Sequence, residues 1–229
     1  MPSTELVIFD CDGVLVDSEI VAARVEADLL TAAGYPIEAE DLARLYAGLT
    51  FRDIMLRIEQ ESRQLFQASL IDEAERLVDE RLRTEVKAIE GAHEAIDSVT
   101  VKRCICSNSS TERLDAMLMK TRLKRFFEGR VFSSLDTPSR KPKPAPDVFL
   151  FAAEKMDADP KKTFVVEDSV HGVAGACAAG MRVIGFTGAS HSHPGHADML
   201  TEAGAETVIR RWADFRPVVK ALSEWSENA

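Results

Sequence analysis

Leu6-Val7-Ile8-Phe9-Asp10-Cys11-Asp12-Gly13-Val14-Leu15-Val16-Asp17 is the stretch on which the reading of the fold turns. Apolar residues run without alternation straight into two carboxylates, one residue apart. Such a run suits a strand covered on both faces, as in a parallel sheet. In open α/β sheets the ligand crevice lies beyond the carboxyl ends of the strands, so Asp10 and Asp12 fall at the mouth of a site. Period 2 sends both side chains off the strand on one side, and Gly13 permits a sharp turn. Two carboxylates this close repel unless a cation or a shared proton intervenes, and a hard divalent cation suits them. In isolation an Asp-x-Asp also reads as an ordinary turn; the remainder of the chain weighs against that.

The 229 residues, 45% of them apolar, are enough for one α/β domain with a sizeable core, or a core plus a small insert. A formal charge of −10 disfavours nucleic acid and anionic membranes as partners. The expected partner is a small molecule, and the expected assembly a monomer or small homo-oligomer. Residues 1–5 are short and polar, unlike a leader, and no apolar run is long enough to span a bilayer. Cys11, Cys104, Cys106 and Cys177 have no Cys-x-x-Cys spacing and read as reduced, buried hydrophobes of a cytoplasmic protein.

Residues 18–87 carry helical periodicity only. Helices are expected over 18–33, 38–46 (ending near Gly48), 51–61 and 70–86, with Thr50 and Ser69 as caps. From 90–91 onward the texture alternates: helices at 92–98, 110–120, 146–156, 170–179 and 213–225, strands at 102–106, 129–132, 163–166, 182–186 and 206–209. Alternation of this kind implies a doubly wound parallel sheet. The expected organisation is therefore an α/β core made of residues 1–17 and 88–229, interrupted by a helical domain over 18–87.

Three more segments bring chemistry to the same sheet edge. Ser107-Asn108-Ser109-Ser110 follows a strand and precedes a helix, where hydroxyls and free N–H groups suit an anion or serve as caps. Glu167-Asp168 ends another buried strand and adds two carboxylates to the first pair, an oxygen-rich set that suits Mg²⁺. Lys141-Pro142-Lys143-Pro144 offers a lysine that can offset those charges, or a solvated basic turn. Neither Gly-x-Gly-x-x-Gly nor a Walker loop occurs.

Asp10-Cys11-Asp12-Gly13-Val14, Ser107, Lys143 and Glu167-Asp168 resemble the four ordered motifs of the haloacid dehalogenase superfamily, and the helical insert resembles its cap. The branch resembled is that of β-phosphoglucomutases and 6-phosphogluconate phosphatases, on residues 9–19 and 89–92. Between the two lysines, the family pattern places an aromatic six residues on; Phe149 stands there for Lys143, and Asp147 for Lys141. The resemblance implies a Mg²⁺-dependent phosphatase acting on a sugar or sugar-acid phosphate. In it Asp10 is the nucleophile, Asp12 the general acid and base, and Lys143 bridges phosphate and Asp10. Asp10, Asp12 (through its carbonyl), Glu167 and Asp168 would hold the metal, and Ser107 and Asn108 the phosphoryl oxygens. The run Gly48-Leu49-Thr50-Phe51-Arg52 resembles the cap's specificity loop, making Arg52 a candidate for a substrate anion, or else a surface arginine.

Mutases of the branch carry a His on the way into the cap where this chain has Ala22, which favours the phosphatase over the mutase. A cap lysine of the phosphonoacetaldehyde hydrolase type is absent from 18–86, and Asp12 argues against a dehalogenase. A metal-binding protein without catalysis is the remaining alternative, set aside because both aspartates are present. His191, His193 and His196 are expected in a mobile Gly/Pro/Ser loop, and His171 at a helix start.

Overall fold

The computed structural model describes residues 4–46, 49–62 and 64–225; residues 1–3 and Gly48, both used in the sequence reading, lie outside them. The first strand, β1 (Leu6–Phe9), is buried along its whole length. Leu6 and Ile8 join one apolar cluster while Val7 and Phe9 join the other, so each face of the strand packs on its own layer. The insert follows: α1 (Glu19–Ala32), α2 (Ala39–Leu45), α3 (Phe51–Ser62) and α4 (Ser69–Glu85). The chain then continues through α5 (Ala92–Asp97), β2 (Lys102–Ser107), α6 (Thr111–Lys120), β3 (Val131–Ser133) and α7 (Asp147–Lys155). Next come β4 (Thr163–Glu167), α8 (Val170–Ala178), β5 (Arg182–Phe186), α9 (His196–Glu202), β6 (Thr207–Ile209) and α10 (Phe215–Trp225).

Among the described residues these strands form one parallel sheet in the order β3-β2-β1-β4-β5-β6. Chain order reverses direction at β1, which creates the crevice where such sheets bind ligands. The carboxyl ends of β2, β1 and β4 are neighbours there, and they carry Ser107, Asp10 and Glu167. Behind them Trp212 stacks on Phe186 at 4.8 Å and packs beside Phe9 and Phe215, and its indole N–H donates to the Val14 carbonyl at 3.2 Å. Burying each large apolar side chain of that kind contributes about 1.5–3 kcal/mol.

The insert is a helical cap on this core. Its two connections run side by side: Asp17 N–H donates to the Lys87 carbonyl and Ile89 N–H to the Leu15 carbonyl, each at 2.9 Å. Helix α1 packs on α2 and α4, and α4 packs on core helix α6. Arg113 of α6 and Asp79 of α4 close that contact with a 2.6 Å ion pair.

Some boundaries differ from the sequence reading. Thr50 does cap α3, accepting from the Asp53 N–H at 3.2 Å. Ser69 is not a cap but already helical, because Ala68 adopts φ −57°, ψ −27° and starts the turn one residue earlier. The strand expected from 129 begins at Val131, since Gly129 at φ +68° belongs to a turn. Helix α9, which the sequence reading lacked, starts directly after Gly195 at φ +88° and is too short for its periodicity to stand out.

Candidate active site

The site is built at the ends of three adjacent strands. As β1 ends, Asp10 keeps the sheet register with its N–H on the Val166 carbonyl (2.9 Å). Gly13, at φ +72°, then turns the chain so closely past the next motif that a Cβ there would lie 1.9 Å from Asp168 Oδ2. Only glycine satisfies both conditions. Gly172 plays the same part in α8: its Cβ would fall 1.9 Å from the Glu167 carboxylate.

Asp10, Glu167 and Asp168 are all buried and each brings one carboxylate oxygen into a group within 4.8 Å. Lys143, buried as well, ion-pairs with Asp10 and Glu167 and donates to the Cys106 carbonyl at 2.8 Å. Its ammonium lies 5.2 Å from the Phe149 ring, whereas Lys141 is exposed. The Asn108 side chain fastens this loop, its Oδ1 accepting from the Lys143 N–H at 2.9 Å. Glu167 has its other oxygen taken by the Ser169 N–H and hydroxyl, both at 3.0 Å, so it braces Lys143 against the start of α8.

Three buried carboxylates face a single ammonium, and the titration of Asp10 and Asp168 reflects it. Burial pushes Asp10 well above the usual carboxylate range, Lys143 pulls it down, and Glu167, Asp168 and Asp12 push it up again. Asp168 is raised by burial and by Glu167, against a hydrogen bond from His191. Burial opposes the charge of Lys143, yet Asp10 and Glu167 over-compensate and raise it. The uncompensated charge and the all-oxygen donor set fit a hard divalent cation such as Mg²⁺.

Asp12 stands a little further out. Its carboxylate accepts from Ser18 (2.7 Å), Ser109 (2.8 Å) and Ser107 (3.3 Å). Ser107 and Asn108 lie beside it on the same cavity wall. The cavity, about 660 Å³, runs from Asp10, Asp12 and Lys143 up to the cap, where Glu19, Ala22 and Glu26 of α1 and Tyr46 beyond α2 line it. Such a volume suits a small metabolite.

A family model described as haloacid dehalogenase-like hydrolase matches residues 7–186. The chain belongs to that family. Among curated proteins, this haloacid dehalogenase-like hydrolase is 32% identical to a phosphorylated carbohydrates phosphatase of Thermotoga maritima, over 90% of this chain and 94% of that one. It is 29% identical to the 6-phosphogluconate phosphatase of Escherichia coli, over 85% and 87% of the two chains. Among solved structures it superposes on a conserved haloacid dehalogenase-like protein of Agrobacterium tumefaciens with a TM-score of 0.90 and 53% identity, covering 96% of this chain and 100% of that one. Family and relatives together make this hydrolase a phosphatase.

Not every residue singled out from the sequence comes to the cavity. Arg52 is exposed on α3 and is not part of the cavity lining; Ile54, Met55 and Ile58 form the inward face of that helix, and Arg52 lies off it. Among the described residues, the arginine that lines the cavity is Arg113, which no local pattern marks because its partner Asp79 is on the distant helix α4. The histidine segment also differs from expectation. His196 is buried, its Nε2–H donating to the Asp168 carbonyl at 2.7 Å, and His191 Nε2 lies 3.0 Å from Asp168 Oδ2. Burial lowers His196, while Asp168 overrides the effect of burial on His191 and raises it. His171 is a helix-start residue on the cavity rim. Ser109 was read only as part of an anion-binding or capping run, and Ser18, Glu19 and Glu26 were missed as site residues; the α1 spacing of Glu19, Ala22, Ala23 and Glu26 hints at a shared face.

Proposed function

We propose that this chain is a Mg²⁺-dependent phosphatase that hydrolyses a small phosphorylated metabolite, a sugar or sugar-acid phosphate, through an aspartyl phosphate on Asp10. The observation that carries the reading is the buried Asp10–Glu167–Asp168 group, bridged by Lys143 and opening into a metabolite-sized cavity. The names of the curated relatives, phosphatases of carbohydrates and of 6-phosphogluconate, support the substrate class.

Asp10, Asp168, Glu167 (directly or through water) and the Asp12 carbonyl would hold the cation. When bound, Mg²⁺ supplies charge that keeps Asp10 ionised and offsets the negative charge on the phosphoryl group. Asp10 attacks phosphorus and the ester P–O bond breaks. Asp12 gives its proton to the departing alkoxide and then takes one from the water that cleaves the aspartyl phosphate. Ser107, the Asn108 backbone and Lys143 hold the phosphoryl oxygens, and Lys143 keeps Asp10 aimed. Residues 18–87 act as the cap that covers the reacting group and chooses the substrate. The compartment is the cytoplasm, in keeping with four unpaired thiols. Among the described residues no helix is long and apolar enough to cross a membrane. A monomer or small homo-oligomer suffices, since every residue named comes from one chain.

The mutase alternative gains nothing from the cavity: Ala22 lines the wall and offers only a methyl group. The test is phosphate release from a panel of sugar phosphates with Mg²⁺ or with chelator. Metal-dependent release is expected. Conversion of β-glucose 1-phosphate to glucose 6-phosphate without release would make the chain a mutase instead.

A further inference from the structure

The cavity has two chemically different ends. Its floor carries the phosphoryl-handling group described above. Its roof is α1, which presents Glu19, Ala22, Ala23 and Glu26 to the cavity. These positions are i, i+3, i+4 and i+7, so they share one helical face. The two alanines leave space between the two carboxylates, which are about 10 Å apart along the helix.

Glu19 is nearer the phosphoryl end: Asp12, Asp168 and His191 all act on it electrostatically. Glu26 is the distal one; among the described residues, the charge that acts on it is that of Glu19. Among the described residues, no lysine or arginine of the cap lines this cavity. The cationic side chains that do are tied elsewhere, Arg113 to Asp79 and Lys143 to Asp10 and Glu167, while His191 is held by Asp168. A leaving group therefore meets hydrogen-bond acceptors and negative charge where its far end must rest.

We propose that Glu19 and Glu26 are specificity-determining residues that select a neutral, hydroxyl-rich leaving group and reject one carrying a carboxylate or a second phosphate. This rests on the phosphatase reading and narrows it to the phosphomonoester of a sugar or polyol, excluding the sugar acid. A carboxylate accepts hydrogen bonds only, so it pairs with hydroxyls along a hexitol-sized chain. A second carboxylate placed against Glu26 in this partly desolvated space is repelled, which corresponds to a roughly 10- to 100-fold handicap.

The test uses a matched pair. Sorbitol 6-phosphate and 6-phosphogluconate have the same chain length and differ at the far carbon, a carbinol in one and a carboxylate in the other. Each is assayed for kcat/KM with Mg²⁺ at about pH 8, where both glutamates are largely ionised, alongside p-nitrophenyl phosphate as a generic ester. The proteins are the wild type, Glu19→Gln, Glu26→Gln and Asp28→Asn, the last an exposed residue of the same helix paired with Arg81. The wild type is expected to prefer the sorbitol ester by roughly 10- to 100-fold. Glu26→Gln should cut that preference about tenfold, chiefly by improving 6-phosphogluconate, and Glu19→Gln should cut it less because His191 already offsets its charge. Asp28→Asn should leave the ratio unmoved, which separates selection from mere helix integrity. Equal or better use of 6-phosphogluconate by the wild type, a ratio unchanged in Glu26→Gln, or cleavage of the generic ester with neither of the pair used would overturn the proposal while the phosphatase stands. Metal-dependent release from none of the three esters would overturn both.

Discussion

Replacing Lys143 by Met tests how the carboxylate group is held together. In the wild type this ammonium ion-pairs with Asp10 and Glu167, and all three residues are buried. Met fills much of the same volume without the charge. Removing one partner of a buried ion pair costs about 3–5 kcal/mol, because the other charge stays behind in low dielectric. For a chain of this size each kcal/mol lowers Tm by about 2–4 °C, so the variant should melt on the order of 6–20 °C below wild type in chelator at neutral pH. The deficit must depend on pH. Burial already raises Asp10 and Asp168 above their unfolded values, so protonating them costs the folded state little. Groups raised in this way stabilise the fold below about pH 4 and withdraw that contribution as pH rises through their folded values. Without Lys143 they rise further, and the deficit should shrink at about pH 5 and grow at about pH 8. Adding Mg²⁺ should raise the Tm of the variant more than that of wild type, since the ion then has no competing ammonium. Thermal melts by circular dichroism at two pH values, with chelator or Mg²⁺, provide the readout. A variant within about 2 °C of wild type in chelator at neutral pH would refute the reasoning, as would a deficit that deepens on acidification.

Other outcomes follow from the same geometry. Gly172→Ala puts a Cβ 1.9 Å from the Glu167 carboxylate and must displace it together with Lys143, so kcat should fall about 10²-fold; unchanged turnover would show that the close approach is dispensable. His196→Ala removes the donor on the Asp168 carbonyl and leaves a small void, lowering Tm by roughly 2–12 °C for a loss of about 1–3 kcal/mol, measurable by calorimetry. Burial raises Glu26 to about 7, so its contribution to stability is present below about pH 4.5 and lost as pH rises through about 7. Glu26→Gln should therefore stabilise the protein at about pH 8 and not at about pH 5, read by the same melts. Burial, with Asp12, Asp168 and Asp17 and against His191, raises Glu19 to about 7 as well, so the kcat/KM ratio of 6-phosphogluconate to sorbitol 6-phosphate should fall between about pH 6 and pH 8.

What the sequence made legible was the part governed by local pattern. An apolar run ending in Asp-x-Asp has few structural solutions, and β1 adopts the one its neighbours impose, covered on both faces. The choice of Lys143 over Lys141 came from the family pattern of an aromatic six residues on, and the structure sets the Lys143 ammonium 5.2 Å from the Phe149 ring. Arg113, by contrast, depends on Asp79, which is 34 positions away and on the cap, and the apolar stripe of α3 turns Arg52 away from the cavity. The histidines were misread for a similar reason. His196 is fixed by a carbonyl 28 residues earlier, a contact with no counterpart in side-chain pattern, and the Gly and Pro around it suggested a loop that the structure ties down. The two glutamates of the roof were not singled out from the sequence, because only the fold shows that their shared face lines the cavity across from its phosphoryl end.

The central claim is that Asp10 carries the phosphoryl group. It is tested most directly by quenching turnover of a sugar phosphate in acid, reducing with borohydride and mapping the peptide that contains residue 10 by mass spectrometry. An aspartyl phosphate is reduced to homoserine, whereas a free carboxyl is not. The account predicts homoserine at position 10, formed only with both Mg²⁺ and substrate present. An enzyme that turns over while Asp10 is never reduced, or that is reduced at a different carboxyl, would contradict it.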